Sequence, residues 1–389
     1  MKRPGLLVLI AAAIILGILL GLVAPLWVAR VFATFNGIFS NFLGFLIPLI
    51  IVGFVTPSIA DIGARAGKML VATTLLAYGM TLMSGLFSYG CCSAVYPILL
   101  GGLSADTALG EGGIAIDPYF KVEMPPVMGV MTALVLSFVI GLGVAFSRKT
   151  VLRDAFDELR DIVSRVINTA VIPLLPLYIF GIFLNMTVAG EVATVIGCFI
   201  KIIAVIFVLH VLLLLIQYGI AGIVTGRNPL PMLRTMLPAY FTALGTQSSA
   251  ATIPVTLRQT REMGVSEDTA GFVIPLCATI HLSGSTLKIV ACALAIMMIG
   301  GMPHGWSLFA GFIAMLGVTM IAAPGIPGGA IMASIGVLQS ILGFDDQAVA
   351  LMIALYIAMD SFGTACNVTG DGAIAAIIDR FFKKSAASV

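Results

Sequence analysis

The sequence predicts an all-α integral membrane protein, and three observations predict it. Of 389 residues, 60% are hydrophobic and only 10% are charged. Apolar runs of helix length recur along the chain. Beyond about residue 230 those runs are interrupted by Gly, Pro, Ser and Thr in an arrangement that occurs twice. A soluble domain carries about 25% charged residues, so a chain with so few must be covered largely by lipid. A net charge of +2 with no basic block gives no footprint for nucleic acid. The cysteines (Cys91, Cys92, Cys198, Cys277, Cys292, Cys366) are scattered without paired ligand spacing and read as small apolar fillers.

Met1-Lys2-Arg3 precedes an apolar run from Gly5 to Trp27, longer than the h-region of a signal peptide, which is about 7–15 residues. It reads as a first transmembrane helix. Further spans follow at roughly 36–60, 67–100, 125–147, 162–188 and 193–225. Basic residues orient them. Lys2, Arg3, Arg65, Lys68, Arg148, Lys149, Arg153, Arg160, Arg227, Arg234, Arg380, Lys383 and Lys384 fall on one side if the spans alternate, and basic residues favour the cytoplasm. The opposite side carries Asp106, Glu111, Asp117, Glu123, Glu191, Asp345 and Asp346. Both termini are therefore expected in the cytoplasm of a multi-pass protein of the plasma (inner) membrane.

Arg234 and the pair Arg258/Arg261 flank Thr235–Leu257, although both flanks belong on the cytoplasmic side. That stretch holds Pro238, Gly245, Thr246-Gln247-Ser248-Ser249 and Pro254. It reads as a re-entrant hairpin, which is tolerated at depth only under cover of protein or water. Residues 305–341 repeat the device around Ala323-Pro324-Gly325-Ile326-Pro327-Gly328-Gly329, which cannot continue a helix. Each hairpin is followed by an interrupted span. The first interruption is expected at His281-Leu282-Ser283-Gly284-Ser285, within about 270–300. The second is expected at Asn367-Val368-Thr369-Gly370-Asp371, within about 346–377. Hairpin plus broken helix, twice, indicates inverted repeats with a binding site at the bilayer midplane.

Asp360 and Asp371 are the two acids deep inside these spans. With Thr364 and Asn367 they follow i, i+4, i+7, i+11 spacing and share one helix face. A carboxylate at the bilayer centre costs about 2.5–3.5 kcal/mol on the insertion scale. Such a pair ligates a cation or a substrate amine, or else forms a structural pair with Lys288 or a backbone amide. His281, Ser285 and Lys288 form a second stripe at i, i+4, i+7, with Lys288 facing Asp360 or the substrate. His281 is either a proton carrier or a neutral, hydrogen-bonded histidine in a packed interface. Ser248 and Ser249 offer hydroxyls at the first hairpin tip, beside unpaired backbone groups. Tyr78 and Thr81 either reach a cation or bond their own helix.

These residues resemble the glutamate transporter family, the dicarboxylate/amino acid:cation symporters. That family is itself among the inverted-repeat transporters. Gly245–Thr256 resembles its serine-rich first tip, Ala323–Gly328 its second tip, and Asn367–Asp371 its eighth-helix motif. The resemblance covers nearly the whole chain. It implies eight transmembrane helices, two opposed re-entrant hairpins with inverted repeats, and a homotrimer working as an elevator. Residues 1–60 would be scaffold helices 1–2, 61–105 transport-domain helix 3, and 106–192 scaffold helices 4–5. Residues 193–389 would be the rest of the transport domain: helix 6, hairpin 1 at about 230–262, helix 7, hairpin 2 at about 305–341 and helix 8.

The implied substrate set is Ser248, Ser249, Ser285, Ile326, Gly328, Asp360, Gly363, Thr364 and Asn367, with Asp360 on the substrate amine and Asn367 and Ser249 on its α-carboxylate. The implied cation set is Tyr78, Thr81, Cys277, Thr279, His281, Asn367 and Asp371, with Na⁺ at Asn367 and Asp371. Na⁺ is the expected coupling ion and H⁺ an additional option, without any cofactor.

Several departures qualify what the resemblance implies. Gly363 stands where the family has the arginine that grips an acidic side chain, so the bidentate clamp is missing. Lys288 replaces a usual aromatic residue and either restores the positive charge or neutralises Asp360. The seventh-helix motif reads His281-Leu282-Ser283-Gly284-Ser285 without the family's aspartate, and Leu82 stands beside Thr81 where a hydroxyl is usual, so one sodium site is expected to be lost or altered. The expected function is uptake of a neutral amino acid, with an acidic amino acid or C4-dicarboxylate held by Lys288 as the second choice. An ion channel would use the same buried polar groups without accumulating solute. An enzyme is disfavoured, because Ser249, His281 and Lys288 show no nucleophile–base spacing.

Overall fold

A computed structural model describes residues 6–64, 68–100, 116–147, 149–190, 192–321, 323 and 328–382. Lys2, Arg3, Arg65, Arg148, Lys383 and Lys384 of the orienting basic set lie outside the described residues, as do Asp106, Glu111 and Glu191 of the acidic set. Among the described residues the regular secondary structure is all helix, without a strand, and residues 116–129 are non-helical.

The N-terminal half runs α1 (Leu6–Gly21), α2 (Leu26–Ala64), α3 (Lys68–Leu100), α4 (Val130–Phe146), α5 (Val151–Val166), α6 (Ile172–Val188) and α7 (Val192–Thr225). A π-helical turn, Ile167–Val171, joins α5 to α6. The boundaries correct three sequence expectations. The first apolar run does not continue to Trp27: α1 stops at Gly21, and α2 starts at Leu26, immediately after Pro25, which has no amide to continue a helix. The fourth span begins at Val130 rather than 125, because Pro125 and Pro126 favour extended backbone. The fifth begins at Val151, since Val151–Val166 is a strongly amphipathic helix running into the apolar α6.

The C-terminal half holds two helical hairpins and two broken helices. In the first hairpin α8 (Pro229–Thr246) packs against α9 (Ser249–Glu262). Gln247, left-handed at φ 53°, turns the chain, and Ser248 caps α9 by accepting the amide of Ala251 at 3.3 Å. The second hairpin packs α12 (Trp306–Ile321) against α13 (Gly329–Leu342), while tip residues 324–327 lie outside the described residues. Gly328 starts α13 at φ 75°, a conformation open to glycine at little cost.

The first broken helix is α10 (Glu267–Ile280) and α11 (Ser283–Ile299), separated at His281-Leu282. The second is α14 (Asp346–Ala358) and α15 (Asp360–Phe382), bent by 62° at Met359. This corrects the position of the second break. Asn367–Asp371 is continuous helix, and Gly370 serves close packing: a Cβ there would come within 2.6 Å of Gln217 Oε1.

Leu26–Ala60, Lys68–Leu100, Val151–Val188, Ile196–Thr225 and Glu267–Ile299 are long and apolar enough to cross a membrane, and the bent pair α14–α15 qualifies when taken together. Val8–Gly21 and Thr132–Phe146 are shorter apolar helices. Exposed Val, Leu, Ile and Phe side chains on α1, α4 and α7 give these helices lipid-compatible outer faces. The core lies around α15, which packs against α3, α7, α8, α9, α10, α11 and α14, and is buried from Asp360 almost continuously to Asp379.

Candidate functional site

The two helix breaks meet, and each is completed by a side chain from the other broken helix. At the start of α11 the first amides lack intrahelical partners. Asn367 Oδ1, from the middle of α15, accepts the amides of Gly284 (2.8 Å) and Ser285 (3.3 Å). Asn367 Nδ2 donates to Ser285 Oγ at 3.0 Å, and the Tyr356 hydroxyl reaches the same oxygen at 3.2 Å. Gly284 permits this approach, since a Cβ there would lie 2.7 Å from both the Gly363 carbonyl and Cys366 Cβ.

At the second break the carbonyls ending α14 face Lys288, from α11. Its ammonium donates to the Tyr356 and Met359 carbonyls, each at 3.3 Å, and to Asp360 Oδ1 at 3.1 Å. It also lies 3.4 Å from the Tyr356 ring centroid. A cation thus sits at the negative end of α14 and an anion at the positive end of α15, which offsets both helix dipoles at the break. Asp360 Oδ2 accepts the Gly328 amide at 2.8 Å, tying the second hairpin to α15. Lys288 is completely buried and is the one buried lysine or arginine among the described residues. Burying such a pair carries a desolvation cost that only complete pairing offsets.

About three helical turns beyond Asp360 on α15, Asp371 Oδ1 lies 2.8 Å from His281 Nδ1 in the first break. Gln217 Nε2, on α7, is 3.5 Å from His281 Nε2 and donates to Ser283 Oγ at 3.0 Å. A neutral imidazole with its proton on Nδ1 satisfies both contacts, a tautomer assigned from the network. One Asp371 oxygen and the Asn367 carbonyl oxygen, both hard ligands suited to Na⁺, are thereby engaged by protein donors.

The geometry therefore gathers Asp360, Asn367, Asp371, Ser285, His281, Lys288 and Gly328, with Thr364 buried on the same face of α15. Gly363 fits closely: its Cβ position is 2.9 Å from Lys288 Nζ and 3.0 Å from Cε, so the lysine stem fills the space beside it. Other expected residues have local partners. Thr81 bonds the Ala77 carbonyl of its own helix at 2.9 Å, and Thr279, exposed, bonds that of Leu276 at 2.7 Å. The Tyr78 hydroxyl donates to the Ala314 carbonyl on α12 at 3.3 Å. Cys277 is buried in α10, and its carbonyl accepts the His281 amide at 2.9 Å. Ser249 is buried in the first turn of α9, which packs on α15. Ile326 lies outside the described residues.

Sequence reasoning missed Gln217, His210 and Tyr356. His210 Nε2 pairs with the Gly284 carbonyl at 3.0 Å, beside the cap made by Asn367. A signal existed: His210 and Gln217 are seven residues apart on one face of α7, in the apolar stretch that follows Lys201. Tyr356 gives no such signal, because it is one aromatic residue in an apolar helix.

Polar and charged side chains buried where two broken helices and a hairpin tip converge, inside a chain of membrane-length helices, define a multi-pass membrane transporter. Comparison with known proteins agrees over the full chain. The sequence matches the sodium:dicarboxylate symporter family over residues 6–381, and the chain belongs to that family. It is a secondary active symporter. The serine/threonine transporter SstT of Acinetobacter baylyi is 26% identical over 400 residues, covering 98% of each chain. That of Streptococcus suis is 27% identical over 345 residues, covering 85% of this chain and 94% of the relative. Excitatory amino acid transporter 4 of Mus musculus is 32% identical over 244 residues, which cover 60% of this chain and 42% of the mouse protein.

Proposed function

We propose that this symporter takes up a neutral amino acid, coupled to Na⁺ and/or H⁺, by an elevator mechanism. One observation carries the substrate choice. Position 363 is a glycine packed against the Lys288 stem, and the Lys288 ammonium is committed to Asp360 and two carbonyls. No guanidinium fork is left there to grip an acidic side chain. The names of the two bacterial relatives, serine/threonine transporters, support the same class. In this reading Asp360 receives the substrate ammonium. Asn367, Ser285, Thr364 and the first tip at Ser248 and Ser249 frame its carboxylate and side chain, and Ile326 and Gly328 complete the substrate-binding set. Asn367 and Asp371 serve the cation. The imidazole held on Asp371 supports a proton in place of one sodium ion.

The proposed architecture has eight membrane crossings, with α8–α9 and α12–α13 as opposed re-entrant hairpins and both termini in the cytoplasm. Residues 1–60 and 106–192 form a homotrimeric scaffold in the plasma (inner) membrane. Residues 61–105 and 193–389 form the domain that moves. The polar groups serve transport rather than catalysis.

A second reading has one observation in its favour, the buried positive charge of Lys288. It would hold an acidic amino acid or C4-dicarboxylate. A thermal-shift screen of amino acids and dicarboxylates, with and without Na⁺ at two pH values, separates the two. Stabilisation by serine, threonine or alanine supports the first reading. Stabilisation by dicarboxylates alone overturns it.

A further inference from the structure

The carboxylate oxygen that the proposed function assigns to a substrate ammonium is held by an ammonium of the protein itself: Lys288 Nζ is 3.1 Å from Asp360 Oδ1. The two ammonium groups carry the same charge and compete for one acceptor. We propose that Lys288 is a tethered counter-cation, which neutralises Asp360 whenever substrate does not and so lets the unloaded carrier return across the membrane. The inference rests on the reading that Asp360 receives the substrate amine.

The surroundings of both groups fit an exchange of partners. When Lys288 gives up Oδ1, its ammonium keeps the Tyr356 and Met359 carbonyls and the Tyr356 ring, so the charge is not left bare. When Asp360 gives up Lys288, it keeps the Gly328 amide on Oδ2. The switch thus replaces one charge-assisted hydrogen bond by another on the same oxygen. Gly363 leaves room for the lysine stem, whose Cδ is 3.3 Å from the Cβ position. Without the tether, the returning domain would carry an uncompensated buried carboxylate, which the low-dielectric interior disfavours. Since Asp360 also holds Gly328, the same pair keeps the second hairpin drawn onto α15 during that return.

The test uses the full-length protein in proteoliposomes and two fluxes. Net uptake starts from vesicles without internal substrate, and exchange starts from vesicles loaded with unlabelled substrate. Only net uptake requires the unloaded return. Lys288→Met is expected to lower the ratio of net uptake to exchange by about tenfold or more, because the return-competent state becomes rare. Lys288→Gln, a second neutral variant, gives the same fall and serves if the methionine variant does not fold. In Lys288→Ala, ethylammonium inside the vesicles restores net uptake, whereas it leaves the wild type unaffected. A ratio equal to that of the wild type, or two fluxes that fall together without rescue by ethylammonium, overturns the proposal and leaves Lys288 structural. If the wild-type protein neither binds nor exchanges any amine-bearing substrate, the assignment of Asp360 is the step that fails, and the tether falls with it.

Discussion

The side-chain oxygen of Asn367 stands 2.8 Å from the amide nitrogen of Gly284, so the broken end of α11 is capped from the middle of α15. The cap fixes the relation between the two helices that carry Lys288 and Asp360, and His281 and Asp371 lie within a turn of it. Asn367→Ala removes the acceptor and leaves two amides without a partner. It is expected to destabilise the protein by about 1–2 kcal/mol, and to abolish uptake. A thermal unfolding series in detergent alongside vesicle transport checks both; unchanged stability would mean that the cap is dispensable.

Asp371→Asn keeps the shape of the side chain while removing its charge. Ion-coupled uptake into vesicles is expected to be lost, since neither a cation nor an imidazolium is then balanced at the His281 break. Normal coupled transport by this variant would remove Asp371 from the mechanism.

Gly363→Arg brings in the guanidinium that the resemblance leads one to expect at this position, but its Cβ would meet Lys288 Nζ at 2.9 Å. The single substitution is therefore expected to displace Lys288. The double change Gly363→Arg/Lys288→Tyr frees that space and is expected to shift preference toward aspartate or glutamate. Competition against labelled neutral substrate reads the change, and an unaltered order of competitors would place the substrate side chain elsewhere.

Gln217→Leu leaves Ser283 Oγ and His281 Nε2 without their α7 partner. A loss of about 1–3 kcal/mol is expected from the buried groups left unpaired, together with a change in the pH profile of uptake, because the imidazole loses one of its two contacts. A shifted stability with an unshifted pH profile would confine Gln217 to a packing role.

Much of this arrangement was legible in the sequence because membrane helices make polar residues conspicuous. Asp360, Thr364, Asn367 and Asp371 share a face by spacing alone, and the two proline- and glycine-bearing tips mark the hairpins. The bend at Met359 was not legible. Residues 356–359, Tyr-Ile-Ala-Met, contain no breaker, and the end of α14 is stabilised by Lys288, which lies far away in sequence. Gly370 misled for the opposite reason: it looks like a breaker, yet it serves close contact with Gln217 and His281. The break at Pro25 was signalled by the proline but hidden by apolar residues on both sides. Gln217 and His210 were passed over although they are polar residues in an apolar stretch of α7, and their partners in the first break depend on tertiary packing.

The most direct test of coupled uptake is accumulation of a labelled neutral amino acid by proteoliposomes under an inward Na⁺ gradient, an inward proton gradient, or neither. The account predicts accumulation above the external concentration with at least one gradient, and its collapse when an ionophore dissipates that gradient. Equilibration to the external concentration under every condition would contradict it.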